Sequence, residues 1–113
     1  MKEIKAIIKP LMLEKVIRAL RYIEELPGIT VSEVKGFGKS MKVNYKDKFS
    51  DEIIEYDKKI KLEIVVPDEL TEVTVRTIEE NARTGSKGDG KIFIYEVQDV
   101  IKIRTGERGK SAI

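Results

Sequence analysis

Residues 59–70 read Lys59-Ile60-Lys61-Leu62-Glu63-Ile64-Val65-Val66-Pro67-Asp68-Glu69-Leu70. Ile60, Leu62, Ile64 and Val66 take every second position, with Lys61 and Glu63 between them, the two-residue period of a half-buried strand. Pro67 stops it, and a helix is predicted to follow, with Asp68 as its cap and Glu69 near the positive end of its dipole. That helix uses Leu70, Val73, Ile78 and Ala82 and closes near Arg83. The same grammar occurs upstream. Lys2 to Lys9 alternates through Ile4, Ala6 and Ile8 until Pro10, and Leu13 to Leu26 carries Leu13, Val16, Ile17, Leu20 and Ile23 at helical spacing until Pro27-Gly28. Two more strands are predicted: Ile29 to Lys35, with Ile29, Val31 and Val34 inward, and Lys91 to Val97. The order β-α-β-β-α-β predicts an α+β, ferredoxin-like sandwich, an antiparallel sheet with two helices on one face.

A single domain over 1–113 is expected from the length. Between strands two and three lies a long segment, 39–57, that exceeds an ordinary hairpin loop. It is expected to project from the body and to order against a partner or ligand. A short element, Asp99 to Arg104, leads into a polar C-terminal tail, 105–113.

Composition removes several chemistries. The chain has no cysteine and no histidine, so disulfides, thiolate metal sites and imidazole bases are all absent. No Gly-x-Ser-x-Gly elbow occurs. The adjacent acidic pairs Glu24-Glu25, Asp51-Glu52 and Glu79-Glu80 point apart in helix or strand. No catalytic residue and no metal site is assigned, and an enzyme is not expected. The 22 basic and 20 acidic residues are well mixed rather than gathered into a basic face, and only 6% of residues are aromatic, which disfavours nucleic acid as a partner. Met1 to Lys5 is charged rather than apolar, and no run approaches the ~18 apolar residues of a membrane span. A cytoplasmic protein without membrane insertion is expected.

One run carries the functional lead: Arg83-Thr84-Gly85-Ser86-Lys87-Gly88-Asp89-Gly90-Lys91. Glycines let backbone N–H groups approach a ligand, and neighbouring cations favour anionic oxygens. The run is not a Walker A loop, because it joins a helix to a strand rather than a strand to a helix. By spacing alone it reads more readily as a helix C-cap at Gly85 and a turn at Gly88-Asp89-Gly90 than as a phosphate grip. Lys102 and Arg104, two apart and so on one side of an extended segment, favour a di- or triphosphate. Gly36-Phe37-Gly38-Lys39 forms a second glycine turn at the base of the long segment.

With these residues in view, the chain resembles the nitrogen regulatory P-II signalling proteins. The match runs through Met1-Lys2-x-Ile4-x-Ala6-Ile7-Ile8-Lys9-Pro10, Thr30 to Gly38, Lys59 to Val66, Ala82-Arg83-Thr84-Gly85-x-x-Gly88-Asp89-Gly90-Lys91-Ile92-Phe93 and Ile101 to Glu107. The resemblance implies a non-enzymatic homotrimer that binds ATP or ADP, with AMP a further candidate, in clefts between subunits. It implies that segment 39–57 is the T-loop, which acts on a target protein such as a nitrogen-metabolism enzyme or a membrane transporter. It also implies residue roles. Gly88, Asp89, Gly90 and Lys91 match the phosphate loop, and Lys102 and Arg104 of a neighbouring subunit complete the grip. Ile7, Thr30, Gly36, Phe37, Gly38, Lys39, Glu63, Ile64 and Thr84 match positions around the rest of the nucleotide.

Departures from the family pattern lie mainly in the long loop. Ser40 stands where the family has the glutamine that helps hold Mg²⁺ and 2-oxoglutarate, so the resemblance does not carry that response over. Glu52 replaces the tyrosine uridylylated in enteric members, Ser50 falls where some cyanobacterial members are phosphorylated, and Lys39 and Lys102 replace frequent arginines. A non-standard target is the alternative these changes imply, for example a transporter unrelated to nitrogen such as a metal-efflux system.

Overall fold

A computed structural model describes residues 1–38 and 56–113. The strands are β1 (Lys2–Ile8), β2 (Thr30–Gly36), β3 (Asp57–Val66) and β4 (Lys91–Glu96), and the helices are α1 (Leu13–Leu20) and α2 (Thr71–Ala82). All neighbouring strands are antiparallel, in the order β2-β3-β1-β4. This is the expected ferredoxin-like arrangement. Both helices lie over one face, because Ile4, Ala6 and Ile8 of β1 and Ile60, Leu62, Ile64 and Val66 of β3 are buried with Val16, Leu20, Ile78 and Ala82. The two central strands therefore supply most of the core, and the period-two reading of both holds residue by residue.

Each helix is introduced in the same way. A proline starts or precedes a single 3-10 turn, Pro10–Met12 before α1 and Asp68–Leu70 before α2. Asp68 consequently sits inside that turn and makes no side-chain cap bond. Its carboxylate instead accepts from the Met1 ammonium at 2.9 Å, which holds its carboxyl below the ordinary range. The expected cap is thus replaced by a tie between the chain's N-terminus and the start of α2.

Four details differ from the sequence reading. Helix α1 ends at Leu20 rather than Leu26, since the chain tightens through Tyr22 and Ile23 and then takes φ 62° at Glu25. Pro27 disfavours helical backbone at Leu26, yet Ile23 and Leu26 still pack on the core. On α2 the buried stripe is Thr71, Thr74, Ile78 and Ala82, whereas Val73 is 44% exposed. Thr74 tolerates full burial because its hydroxyl donates to the Leu70 carbonyl at 2.7 Å. On β2, Val31 pairs with Leu62 and Val34 with Lys59, so the two valines face opposite sides and Val34 does not point toward the helices. Finally, the tail is not a loose polar end. Ile101 bridges to Arg108, Lys110–Ala112 makes a 3-10 turn, and Ala112 is buried. Lys110 forms an ion pair with Glu69 at 2.5 Å, which ties the tail to the turn before α2.

The other sheet face carries Glu3, Lys5 and Ile7 of β1, Lys61, Glu63 and Val65 of β3, and Phe93 and Tyr95 of β4. The Lys5 ammonium lies over both rings, 5.3 Å from Phe93 and 4.9 Å from Tyr95. Among the described residues, no helix is long and apolar enough to cross a membrane.

Candidate functional site

The antiparallel register brings four chain segments to one end of the sheet. There β1 ends at Ile7–Lys9, β3 begins at Asp57–Lys59, β2 ends at Gly36, and β4 begins at Lys91. The glycine run spans the gap from α2 to β4 at this same end. Three of its glycines use the left-handed half of backbone space: Gly85 at φ 89°, Gly88 at φ 88° and Gly90 at φ 97°. Gly90 is required for a second reason. A Cβ there would lie 1.6 Å from the Ile7 carbonyl oxygen, so no other residue fits without displacing β1 or the loop.

The loop is closed on itself by Asp89. Its carboxylate accepts from the N–H groups of Thr84 and Gly85, both at 2.9 Å, and from the Thr84 hydroxyl at 2.5 Å. The Thr84 hydroxyl, its N–H, the Gly85 N–H and the Lys9 ammonium hold the Asp89 carboxyl far below its usual range. No described group accepts from the N–H of Lys87 or Gly88, both exposed. Lys59 reaches under the loop and donates to the Gly88 carbonyl at 2.5 Å. Lys91, exposed, follows Gly90 and pairs in the ladder with Ile7. The loop end thus offers exposed backbone donors beside two ammonium groups, the chemistry that receives phosphate oxygens. Beside it an apolar groove of about 400 Å³ runs between α2 and β4, floored by Ile78, Ile92 and Ile94 and bordered by Gly90 and Lys91.

The other residues expected at the site fall at graded distances from this end. Ile7, Thr84, Gly88, Asp89, Gly90 and Lys91 are brought together. Gly36 and the exposed Phe37 and Gly38 lie two strands away from β1, with Phe37 packed edge-on against Tyr56 at 6.2 Å. Thr30 and Glu63 face each other across β2 and β3, on the face opposite the helices. Ile64 is a core side chain, 1% exposed, and only its backbone can reach a ligand. Lys39 lies outside the described residues, as do Ser40, Ser50 and Glu52 and nearly all of the long loop.

Lys102 and Arg104 do not lie along an extended segment. Gly106 N–H donates to the Lys102 carbonyl at 2.7 Å and Thr105 N–H does so at 3.3 Å, so residues 102–106 form a tight turn. Lys102 is ion-paired with Glu107 at 3.5 Å, whereas Arg104 is exposed on the turn. The turn arises because Gly106 adopts φ 74° and lets the chain reverse toward the Ile101–Arg108 bridge. Neither cation lines the groove beside the glycine run.

Two lysines at the loop, Lys9 and Lys59, carried no assigned role in the sequence. The only hint was phase: Lys9 continues the side of the strand marked by Glu3, Lys5 and Ile7 past its end. The model of the nitrogen regulatory protein P-II family matches residues 1–107. The chain belongs to the P-II family. It is 45% identical over 113 residues to the nitrogen regulatory protein P-II of Rhodospirillum rubrum and, again at 45% over 113 residues, to P-II 1 of Escherichia coli K12. In both cases all of this chain and all of the relative are covered. Among solved structures it is similar to Arabidopsis thaliana PII bound to citrate, with a TM-score of 0.80 and 42% identity, covering 99% of this chain and 91% of that one. P-II proteins are nitrogen-regulatory signalling proteins, and this chain has both their sequence and their fold.

Proposed function

We propose that this P-II protein is a non-enzymatic, cytoplasmic regulator that reads adenine nucleotides and passes the result to a target protein through segment 39–57. ATP and ADP are the primary ligands, with AMP as a third. The observation that carries the reading is the packing of Gly90 against the Ile7 carbonyl, which holds exposed N–H groups and the Lys59 and Lys91 ammoniums at one sheet end. A polyphosphate fits that combination better than a single carboxylate does, because its charge is spread over several oxygens. The citrate on the Arabidopsis PII supports an affinity of the fold for polyanions.

A closed ring of three subunits completes the site. Both sheet edges leave apolar surface open, a groove of about 550 Å³ walled by Leu13, Ile17 and Ile29 on the β2 side and the α2–β4 groove on the other. Two different edges that cover each other make a head-to-tail contact, which gives a ring when the rotation between subunits closes. In such a ring Lys102 and Arg104 of one subunit reach the phosphates held by the next, which fits their position on an exposed turn away from their own loop.

Signalling then requires that ATP and ADP bind the target-competent and target-incompetent loop states with unequal affinity, since equal affinity shifts nothing. Ser40 offers no carboxamide oxygen for 2-oxoglutarate and Mg²⁺, so the nucleotide ratio is the signal. The test is a calorimetric titration of ATP, ADP and AMP, each with and without Mg²⁺ and 2-oxoglutarate, alongside sedimentation equilibrium. One nucleotide per chain at trimer mass is expected, with no gain from 2-oxoglutarate. A strong 2-oxoglutarate effect would overturn the role given to Ser40, and a monomer that binds no nucleotide would overturn the whole reading.

A further inference from the structure

We propose that Lys9 and Asp89 are a positioning pair that holds the glycine loop in its ligand-ready shape, and that neither charged group contacts the nucleotide. The proposal rests on the reading of the loop as a phosphate site and assigns the work within it. A lysine ammonium has three protons to donate. Lys9 Nζ meets three acceptors: Ser86 Oγ at 2.7 Å, Thr84 Oγ1 at 3.0 Å and Asp89 Oδ1 at 3.0 Å. Its donors are all committed inside the loop.

The acceptors are committed as well. Asp89 Oδ2 takes the N–H groups of Thr84 and Gly85, while Oδ1 takes the Thr84 hydroxyl and Lys9. Because the Thr84 proton goes to Asp89, the Ser86 hydroxyl donates to Thr84 at 2.8 Å, and the Ser86 N–H lies 3.3 Å from the same oxygen. The side chains of Lys9 and Asp89 are each only 24% exposed. A bare carboxylate in this loop would repel phosphate, and Lys9 cancels it at contact distance while tying the loop to the end of β1. Lys59 differs, with one bond to the Gly88 carbonyl, and Lys91 is exposed. These two, with the Lys87 and Gly88 N–H groups, face the ligand, and the Lys9–Asp89 pair keeps them in place.

The experiment uses the full chain and three variants: Lys9→Met, which keeps the stem and removes the donors, Asp89→Asn, and the two combined. In the ligand-free protein, the Thr84 and Gly85 amide hydrogens should exchange at least about tenfold faster in each variant, a larger change than that of the core amides of β3. ATP affinity should fall about tenfold in either single variant, and the double variant should be no weaker than the worse single one. Lys9→Met combined with Lys91→Ala should instead multiply their separate losses. Lost affinity with unchanged amide exchange would make Lys9 a direct phosphate ligand and overturn the proposal. Unchanged affinity and unchanged exchange would overturn it too. If the wild-type chain binds no ATP, the nucleotide reading fails while the exchange rates still decide whether the pair holds the loop.

Discussion

Replacing Gly90 with alanine tests the packing on which the site depends. The added Cβ would sit 1.6 Å from the Ile7 carbonyl oxygen, against an ordinary contact that begins near 3.4 Å. The loop and β1 must therefore part by an amount no side-chain rotation can absorb. The nearest ladder pair, Ile7 with Lys91, takes the displacement. Losing about two backbone hydrogen bonds there costs roughly 2 kcal/mol. Alanine at φ 97° adds about 1 kcal/mol of backbone strain. The total is roughly 3 kcal/mol, or about 12 °C in the melting temperature of a domain this size. Thermal melts followed by circular dichroism at one fixed protein concentration measure it, since assembly makes melting concentration-dependent. Two controls separate the contributions. Gly85 shares the unusual backbone, φ 89°, but has nothing within 4 Å, so Gly85→Ala isolates the strain at about 1 kcal/mol. Gly28 has open space and no such backbone, so Gly28→Ala should be neutral. If Gly90→Ala and Gly85→Ala melt together, close packing against Ile7 is not what fixes the loop.

Three further outcomes follow from the same structure. Thr71 Oγ1 is buried without a hydrogen-bond partner among the described residues, so Thr71→Val should raise stability by about 1 kcal/mol in a denaturant titration, and a loss of stability would contradict this. Leu62 is fully buried in β3, and Leu62→Ala should cost roughly 3–4 kcal/mol by the same assay, a figure that a value under 1 kcal/mol would contradict. Asp89 is held far below its ordinary 3.8, first by the Thr84 hydroxyl. A depressed carboxyl stabilises the fold above its unfolded value and loses that contribution as pH falls through its folded value. The Gly85 amide chemical shift should therefore stay at its neutral-pH value down to about pH 3.8 and change only below it, and a midpoint at or above 3.8 would refute the Asp89 bracing.

The parts of this fold legible in the sequence are those where burial alternates along the chain. β1 and β3 are central, each has one face on the core, and their apolar residues announce it. The α2 face was harder because Thr71 and Thr74 look like surface positions. Thr74 becomes a core residue only by donating to its own helix backbone, which composition does not reveal. Helix α1 is shorter than its periodicity predicts because Ile23 and Leu26 keep helical spacing while packing from a non-helical turn. At the site, the glycines were visible as glycines, but the reason for Gly90 is a carbonyl more than eighty residues away in sequence, Ile7. Lys9 and Lys59 stayed hidden for the same reason, since strand ends meet the loop only once the register is set. Lys102 and Arg104 alternate as on an extended segment, and nothing in that alternation signals the reversal that Gly106 permits.

The central claim is that the loop from Thr84 to Lys91 grips nucleotide phosphates, and Lys91 is its most direct probe because it is exposed at the start of β4. Isothermal titration of ATP into the wild-type chain and into Lys91→Ala, each checked by its melting temperature, measures the grip alone. A charged hydrogen bond to phosphate contributes roughly 1.5–3 kcal/mol, so the variant should bind about ten- to a hundredfold more weakly while melting like the wild type. Equal ATP affinity in the two proteins would contradict the account.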